Sequence, residues 1–215
     1  LILIKILIAN PEIIANLVEA NKIQFTNKEY NKINNKISIF LANNEKQLLL
    51  NEEYSPTEYN GYTKFNKEKV YNMIIFLADN TILKTKLLKE MFYADFLFYK
   101  ENCKSITGLE YCKLPFGPVP DRFETILSKG YQEDIIDYKP VITPSKEYYE
   151  ITSKKKFNKD LFTKEELEVL DKIKKYFKNY NAKEIVDYSH KEKAFIDTNK
   201  CEKISYDYSF DIDLK

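Results

Sequence analysis

Residues 85–99, TKLLKEMFYADFLFY, are the stretch of sequence that decides the fold. Their apolar side chains recur every three or four positions, which is the period of an α-helix. The pattern predicts a helix from about Thr85 to Tyr99. The same period predicts a preceding helix from about Lys67 to Ala78, and because each helix carries an apolar stripe, the two are expected to pack together.

The composition describes one globular domain, or one domain with an appendage. The chain has 215 residues, with 34 Lys and Arg against 33 Asp and Glu, and therefore a formal charge of +1. A chain of this length buries a sizeable core without disulfides or a structural metal. The near-zero net charge removes the broad attraction to phosphate on which non-specific binding depends, so no direct nucleic-acid binding by this chain is expected.

The cysteines and glycines exclude several classes of protein. Cys103, Cys112 and Cys201 form no CxxC pair, which argues against a secreted disulfide framework and predicts a cytoplasmic protein. The apolar Leu1 to Ile8 is too short to span a bilayer, so no membrane association is expected. Four glycines leave no GxGxxG, Walker A or GxSxG motif, and a single histidine, His190, forbids a multi-histidine centre. Neither a metal nor a cofactor is expected.

The chain divides at a turn marked by Asn60-Gly61. Residues 1–60 are predicted to form a helical arm or linker, with a helix start at Asn10-Pro11 and a capping box formed by Thr26 and Glu29. Self-association through this arm is left open. Residues 61–215 are predicted to form the main domain.

The middle of the main domain is predicted to lose its helical period. Prolines at 115, 118 and 120 favour an extended, non-helical loop from Gly108 to Pro120. A short helix from about Asp121 to Lys129 is expected to end at Gly130. The β-branched and aromatic residues from Tyr131 to Thr152 then predict a β-hairpin.

Capping boxes mark the helices of the carboxyl-terminal part. Thr163 with Glu166 predicts a helix over about 163–178, and two further boxes are predicted at Asn181 with Glu184 and at Ser189 with Glu192. Alternating apolar residues from Lys203 to Phe210 predict an edge strand. The fold class is therefore mainly α (α+β): a compact helical domain with a small hairpin or sheet, preceded by a helical arm.

Asp95 is a carboxylate on an apolar stripe, because Leu88, Phe92, Asp95 and Tyr99 share one helix face. A buried carboxylate needs hydrogen-bond donors. Two interpretations stay open. Either Asp95 holds the following loop, for instance around Ser105 and Thr107, or it contacts a ligand directly.

Two other side chains have competing interpretations. Arg122 is the sole arginine, which indicates either a need for bidentate recognition or chance. Ser189 and His190 suggest a nucleophile and a base, or, with Glu192, a capped helix start with His190 at its first position. A cysteine paired with His190 is a further alternative. Since no recognisable arrangement pairs a nucleophile with a base, no enzyme activity is expected.

Four ordered segments carry a resemblance to a known family: residues 86–97 (KLLKEMFYADFL), 105–111 (SITGLEY), 114–120 (LPFGPVP) and 188–195 (YSHKEKAF). Together they resemble the Panacea, or SocA-like, antitoxin domain over about residues 62–208. Residues 1–8 resemble the end of the helix-turn-helix unit that precedes this domain in longer members with a zinc finger. The resemblance implies a small helical module of prophages or toxin–antitoxin systems that neutralises a cognate protein toxin by direct binding.

These observations give a main hypothesis and two alternatives. The main hypothesis is an antitoxin that presents the proline-rich loop to its toxin. For Tyr111 and Phe116 an alternative stays open, namely that their side chains face inward and pack on the core. The protein is alternatively the ligand- or partner-sensing half of a transcriptional regulator, or a proteolytic adaptor that delivers a toxin to a protease. The predicted toxin-binding residues are Tyr111, Phe116, Gly117, Pro118, Val119, Pro120 and Arg122, and the predicted structural-motif residues are Asp95, Tyr99, Ser105, Thr107, Gly108, Ser189, His190 and Glu192.

Overall fold

The computed structural model describes residues 18–27, 29–31, 33, 55–142 and 147–214. Contacts divide the chain into two compact units, Leu1–Tyr54 and Ser55–Lys215. In the first unit the predicted capping box is confirmed, since the Thr26 N–H donates to the Glu29 carboxylate at 3.0 Å and the Glu29 N–H donates to the Thr26 hydroxyl at 3.3 Å. The helix start at Asn10-Pro11 and the segment 1–8 lie outside the described residues. The domain boundary at residue 60 stays a prediction.

The second unit is built around one central helix. Helix α1 (Lys67–Leu77) begins where the Asn66 side chain accepts the Lys69 N–H at 3.0 Å. Strand β1 (Ile82–Leu83) leads into α2 (Lys84–Asn102), which packs on α1 as predicted. Every residue of α2 from Leu87 to Tyr99 is buried, although the sequence pattern predicts only an apolar stripe. The other elements of the unit therefore surround α2 on all sides.

The predicted hairpin in the middle of the chain is confirmed. Strands β4 (Ile136–Ile142) and β5 (Glu147–Ser153) pair in antiparallel register, with Tyr138 opposite Ile151, and β1 pairs with the other edge of β5. The sheet order is β1-β5-β4. Residues 143–146, which connect the two long strands, lie outside the described residues.

Helix α3 (Phe123–Gln132) runs past the predicted stop, so the expectation that Gly130 terminates it is wrong. Gly130 lies inside the helix, where a Cβ atom would approach a Tyr71 ring carbon to 3.1 Å and the Ile136 Cγ1 to 3.2 Å. Close packing against α1 and β4, and not chain termination, is the reason for glycine at this position.

The proline-rich segment is extended, as predicted, but forms a regular hairpin. Strands β2 (Tyr111–Leu114) and β3 (Gly117–Pro120) pair with Leu114 opposite Gly117, so that Pro115 and Phe116 form a two-residue turn. Pro118 and Pro120 are tolerated because β3 is an edge strand that pairs with β2 alone among the described strands, so their missing N–H groups interrupt no second ladder. This β2–β3 hairpin packs against α2.

The carboxyl-terminal helices follow their capping boxes. Helix α4 (Lys164–Tyr176) starts at the Thr163 box and α5 (Ala182–Ser189) at the Asn181 box, both with reciprocal hydrogen bonds. A short helix α6 (Lys193–Ile196) follows. The fold class is confirmed: the protein is mainly helical, with a small antiparallel sheet.

The edge strand predicted from Lys203 to Phe210 is wrong. Only a bridge between Cys112 and Lys203 forms, and the chain then turns into a 3-10 helix (Tyr206–Asp211). The turn begins at Ser205, whose hydroxyl accepts the Asp207 N–H at 3.2 Å. A serine side chain that accepts a nearby backbone N–H stabilises a turn, and the turn competes with the extended backbone of a strand.

Loss of the Thr163 cap should destabilise the domain. We expect Thr163→Ala to lower the free energy of unfolding by about 1 kcal/mol, because a helix N-terminal N–H loses its acceptor. Lys164→Ala is the matched control, since its side chain is 85% exposed, and should change stability by less than about 0.5 kcal/mol. Urea denaturation measures both values, and equal effects from the two variants would contradict the capping role.

Candidate partner-binding site at the β2–β3 hairpin

Asp95 fixes the loop between α2 and the β2–β3 hairpin. Its carboxylate is fully buried and accepts hydrogen bonds from the Ile106 N–H at 2.9 Å, the Thr107 N–H at 3.0 Å and the Tyr111 hydroxyl at 2.8 Å. The Thr107 hydroxyl donates a fourth. The interpretation that Asp95 holds the loop is therefore confirmed for Thr107. Ser105 has a different role, because its hydroxyl donates to the Asn60 carbonyl at 2.8 Å.

The electrostatics of Asp95 reflect this burial. Burial raises the pKa of the Asp95 carboxyl to about 6, and the four donated hydrogen bonds oppose the rise. Burial and the adjacent Asp95 also hold the pKa of the Tyr111 hydroxyl well above its ordinary value. Tyr111 therefore remains a neutral donor to the carboxylate.

Gly108 and Tyr99 complete the frame of the loop. Gly108 has φ +74°, and a Cβ atom there would lie 2.6 Å from the backbone of Thr63 and Lys64, so only glycine fits. The Tyr99 hydroxyl donates to Asp207 at 3.0 Å, and its ring stacks on that of Tyr62. Tyr99 thus connects α2 to the carboxyl-terminal 3-10 helix, on the far side of the loop held by Asp95.

The structure corrects most of the predicted toxin-binding surface. Tyr111 is fully buried and donates to the Met91 carbonyl at 3.0 Å, so for this residue the inward alternative is right. The expectation of exposure is also wrong for the four residues of β3, which are buried among α2, α5 and α6. These four buried residues are Gly117, Pro118, Val119 and Pro120.

Two of the predicted surface residues are exposed, at opposite ends of the β2–β3 hairpin. The Phe116 side chain, in the turn, is 72% exposed. Arg122 follows β3 with φ +55° and has Asp121 as its ion-pair partner at 3.9 Å. Arg122 is six positions after Phe116, so their Cα atoms lie at most about 20 Å apart.

Lys89 supports the hairpin from α2, and the sequence analysis did not identify it. Its side chain is fully buried, and Nζ donates to the Pro118 carbonyl at 2.7 Å. Gly117 has φ +100°, and a Cβ atom there would lie 2.6 Å from both the Lys89 Cε and the Ser189 Oγ. The only signal in the sequence was a lysine next to the apolar stripe, which is typical of a solvated helix edge.

The predicted capping box at Ser189 is wrong. Ser189 is the last residue of α5, and its hydroxyl donates to the Val186 carbonyl at 2.9 Å. Glu192 is buried and accepts the Tyr93 hydroxyl at 3.1 Å. The box at Asn181 starts the helix about two turns earlier than the Ser189 pattern suggests, and the helix continues through Ser189. His190 therefore follows α5 instead of opening a helix.

His190 packs beside the tip of the hairpin. Its ring stacks on Phe195 with a centroid distance of 4.1 Å, and the Nε2 atom is buried without a hydrogen-bond partner among the described residues. Burial, together with the nearby Lys89, lowers the pKa of His190. The Lys113 ammonium lies 4.5 Å from the centroid of the Phe195 ring. This arrangement joins the hairpin to α6.

The cysteines lie in different surroundings. Burial raises the pKa of the Cys112 thiol to about 11, while Cys103 and Cys201 are exposed. Across residues 55–142 and 147–214 and the described part of the arm, no group of three metal-ligating side chains occurs. None of the helices in these same ranges combines the length and hydropathy of a membrane span.

The family of the chain follows from comparison with known proteins. The family described as antitoxin SocA-like, Panacea domain, matches residues 87–195, which is about half of the chain. The chain belongs to this family, and the resemblance noted in the sequence is confirmed. No curated protein and no solved structure matches the chain. The matched segment includes α2, the loop held by Asp95, the β2–β3 hairpin and His190.

Removal of the Asp95 carboxylate should destabilise the domain. We expect Asp95→Ala to lower the free energy of unfolding by about 4 kcal/mol, because four buried donors lose their acceptor. Asp95→Asn should cost only about 2 kcal/mol, since the amide oxygen still accepts the N–H groups of Ile106 and Thr107. Urea denaturation tests this order, and an alanine variant as stable as the asparagine variant would refute it.

The stability difference between the parent and Asp95→Asn should also depend on pH. The folded pKa of about 6 exceeds the ordinary value of 3.8, so between these values the folded state binds more protons than the unfolded state. The parent should therefore lose up to about 1.4 kcal/mol per pH unit, relative to the asparagine variant, as the pH rises from 4 to 6. Denaturation at pH 4, 5 and 6 measures this loss. A constant difference would contradict the raised pKa.

Proposed function

We propose that this protein is an antitoxin that neutralises a cognate protein toxin by direct binding, with Phe116 and Arg122 in the contact. The observation that carries the proposal is the 72% exposure of Phe116 at the tip of a hairpin whose second strand is buried. Membership of the SocA-like antitoxin family supports a role as an antitoxin.

The anchoring of the hairpin supports direct binding. Lys89 and Gly117 hold β3 against α2, and the Tyr111 hydroxyl holds β2 through Asp95 and the Met91 carbonyl. A tip that is already ordered loses little conformational entropy when a partner binds. Phenylalanine and arginine are also side chains of the size and geometry that anchor interfaces, and arginine in particular is enriched at hot spots.

A small apolar area beside the tip extends the proposed contact. Ile196 in α6 is 59% exposed, and Phe195, half-buried, stacks on His190. Gly117 lies against Ser189, which directly precedes His190 in the chain. Phe195 and Ile196 therefore continue the surface that begins at Phe116. We name Phe116, Phe195 and Ile196 the tip surface. Its apolar centre, with the Lys113 ammonium at its edge, is suited to a protein partner with a complementary apolar pocket.

Binding without a chemical step is part of the proposal. The Ser189 hydroxyl is engaged with the Val186 carbonyl, and the raised pKa of Cys112 disfavours the nucleophilic thiolate. Both observations favour a binding protein over a hydrolase. The same proposal includes a cytoplasmic location, a place in a toxin–antitoxin or prophage gene pair, and self-association through residues 1–60.

A growth assay with the toxin tests the proposed contact. The chain is co-expressed with the product of the adjacent gene, and growth is measured for the parent, Phe116→Ala and Arg122→Ala. Because hot-spot truncations cost about 2 kcal/mol, we expect each variant to bind the toxin about 30-fold more weakly and to lose protection.

Phe210→Ala is the matched control for Phe116→Ala. Phe210 is an exposed phenylalanine, 56% accessible, on the 3-10 helix, where its ring packs against Tyr99, and it is not one of the three tip-surface residues. This control should protect as well as the parent, and thermal unfolding should show that all three variants remain folded. Full protection by both Phe116→Ala and Arg122→Ala would show that neither end of the hairpin is needed to neutralise the toxin.

A further inference from the structure

Lys89 is a buried amine without a counter-charge. Its side chain is fully buried in the middle of α2, and its Nζ has one hydrogen bond, to the Pro118 carbonyl at 2.7 Å. Among the described residues, no carboxylate lies within 4.0 Å of this nitrogen. The neighbouring Glu90 pairs with Lys86 instead, at 3.7 Å. An ammonium in such a place has neither water nor an anion to stabilise its charge.

The groups that face Lys89 come from the hairpin and from the end of α5. Strand β2 contributes the Cys112 thiol, and β3 contributes the Pro118 carbonyl and Gly117. The end of α5 contributes the Ser189 hydroxyl and, just beyond it, His190. None of these groups is an anion near neutral pH. A positive charge on Lys89 is therefore stabilised only if water reaches it, and water reaches it only if the hairpin lifts from α2.

We propose that protonation of Lys89 controls how firmly the β2–β3 hairpin packs on α2, so that proton uptake favours local opening of the hairpin. In the closed state the neutral amine still donates to the Pro118 carbonyl. In the open state the protonated amine is hydrated. The consequence for toxin binding, namely a tip surface that is less well ordered at lower pH, rests on the proposed function.

The direction of the pH dependence follows from the two states of the amine. Burial lowers the pKa of Lys89 in the closed state from 10.5 to about 7. Once the hairpin opens, the amine returns to its ordinary value in water. Between these two values, opening takes up a proton. The equilibrium constant for opening therefore falls by up to about tenfold for each pH unit gained between pH 7 and pH 10.5, and is constant below pH 7.

The range from pH 7.5 to 8.5 isolates Lys89 from the groups that face it. The pKa of His190 is lowered from its ordinary value of 6.5, so His190 stays neutral throughout this range. Burial raises the pKa of Cys112 from its ordinary value of 9.0 to about 11, so the thiol stays mainly protonated in this range whether the hairpin is closed or open. A pH effect on the hairpin in this range therefore reports on the lysine.

Amide hydrogen exchange of the full chain tests the proposal without any partner. Exchange of an open amide is catalysed by hydroxide and accelerates about tenfold per pH unit, so a falling opening constant cancels this acceleration. We expect the hairpin amides of the paired residues Cys112 and Val119 to exchange at a nearly constant rate from pH 7.5 to 8.5. Amides at the exposed end of β4, such as those of Lys139 and Val141, should accelerate about tenfold over the same range, because their local opening leaves Lys89 buried.

Two variants complete the experiment. In Lys89→Met the hairpin amides should accelerate with pH as the β4 amides do, because no proton is taken up on opening. Lys100→Met is the matched control: Lys100 also lies in α2 and donates to a backbone carbonyl, that of Ile212 at 2.6 Å, but is half-buried. It should retain the parental behaviour of the hairpin.

The parent chain alone can overturn the proposal, even if Lys89→Met does not fold. Hairpin amides that accelerate about tenfold per pH unit, in step with those of β4, would show that opening takes up no proton. The experiment is also separate from the proposed function. A chain that fails to neutralise the adjacent gene's product, yet shows pH-independent hairpin exchange, retains the proton-linked hairpin and loses only the antitoxin role.

Discussion

The hydrogen bonds received by the buried carboxylate of Asp95 determine the geometry of the region that distinguishes this domain. After α2 ends at Asn102, the chain must reverse and place the β2–β3 hairpin along the same helix. Backbone N–H groups of the connecting loop would be costly to bury without acceptors, and Asp95 supplies an acceptor from within the helix. Because Tyr111 donates to the same carboxylate, the first residue of β2 is placed by the group that orders the loop. The Asp95 side chain thus orders the loop and positions the start of the hairpin.

Local patterns in the sequence were sufficient for the starts of α4 and α5 and for a choice of two roles for Asp95, one of which the structure confirms. The Thr163 and Asn181 boxes give clear helix starts, because each requires only four residues close in sequence. Asp95 was identifiable because a carboxylate on an apolar stripe requires buried donors, and the nearest candidates lay in the following loop. In each of these cases the determining interaction is short in range or strongly constrained by polarity.

Interactions between distant parts of the chain were not predictable from the same patterns. The periodicity of residues 85–99 indicates a helix with one apolar face and contains no information that α4, α5 and the hairpin cover its other faces. The sequence pattern therefore predicts a solvent-exposed Lys89, although this side chain is buried under β3. For the same reason, the inward orientation of Val119 and Pro118 was missed. At Ser189 and Ser205 the pattern was ambiguous, since a serine is compatible with a helix start, a helix end or a turn.

The hairpin combines a buried strand β3 with an exposed turn, which separates the residues that maintain the fold from those proposed to contact a partner. Tyr111, Gly117 and Pro118 are constrained by the Asp95 carboxylate and by the close approach to Lys89 and Ser189. Phe116 has no comparable constraint from the interior. Its side chain is therefore free to diverge between related proteins without loss of the fold. A scaffold of this kind acquires new recognition properties by exchange of a turn residue, which suits it to evolution or engineering towards unrelated partners.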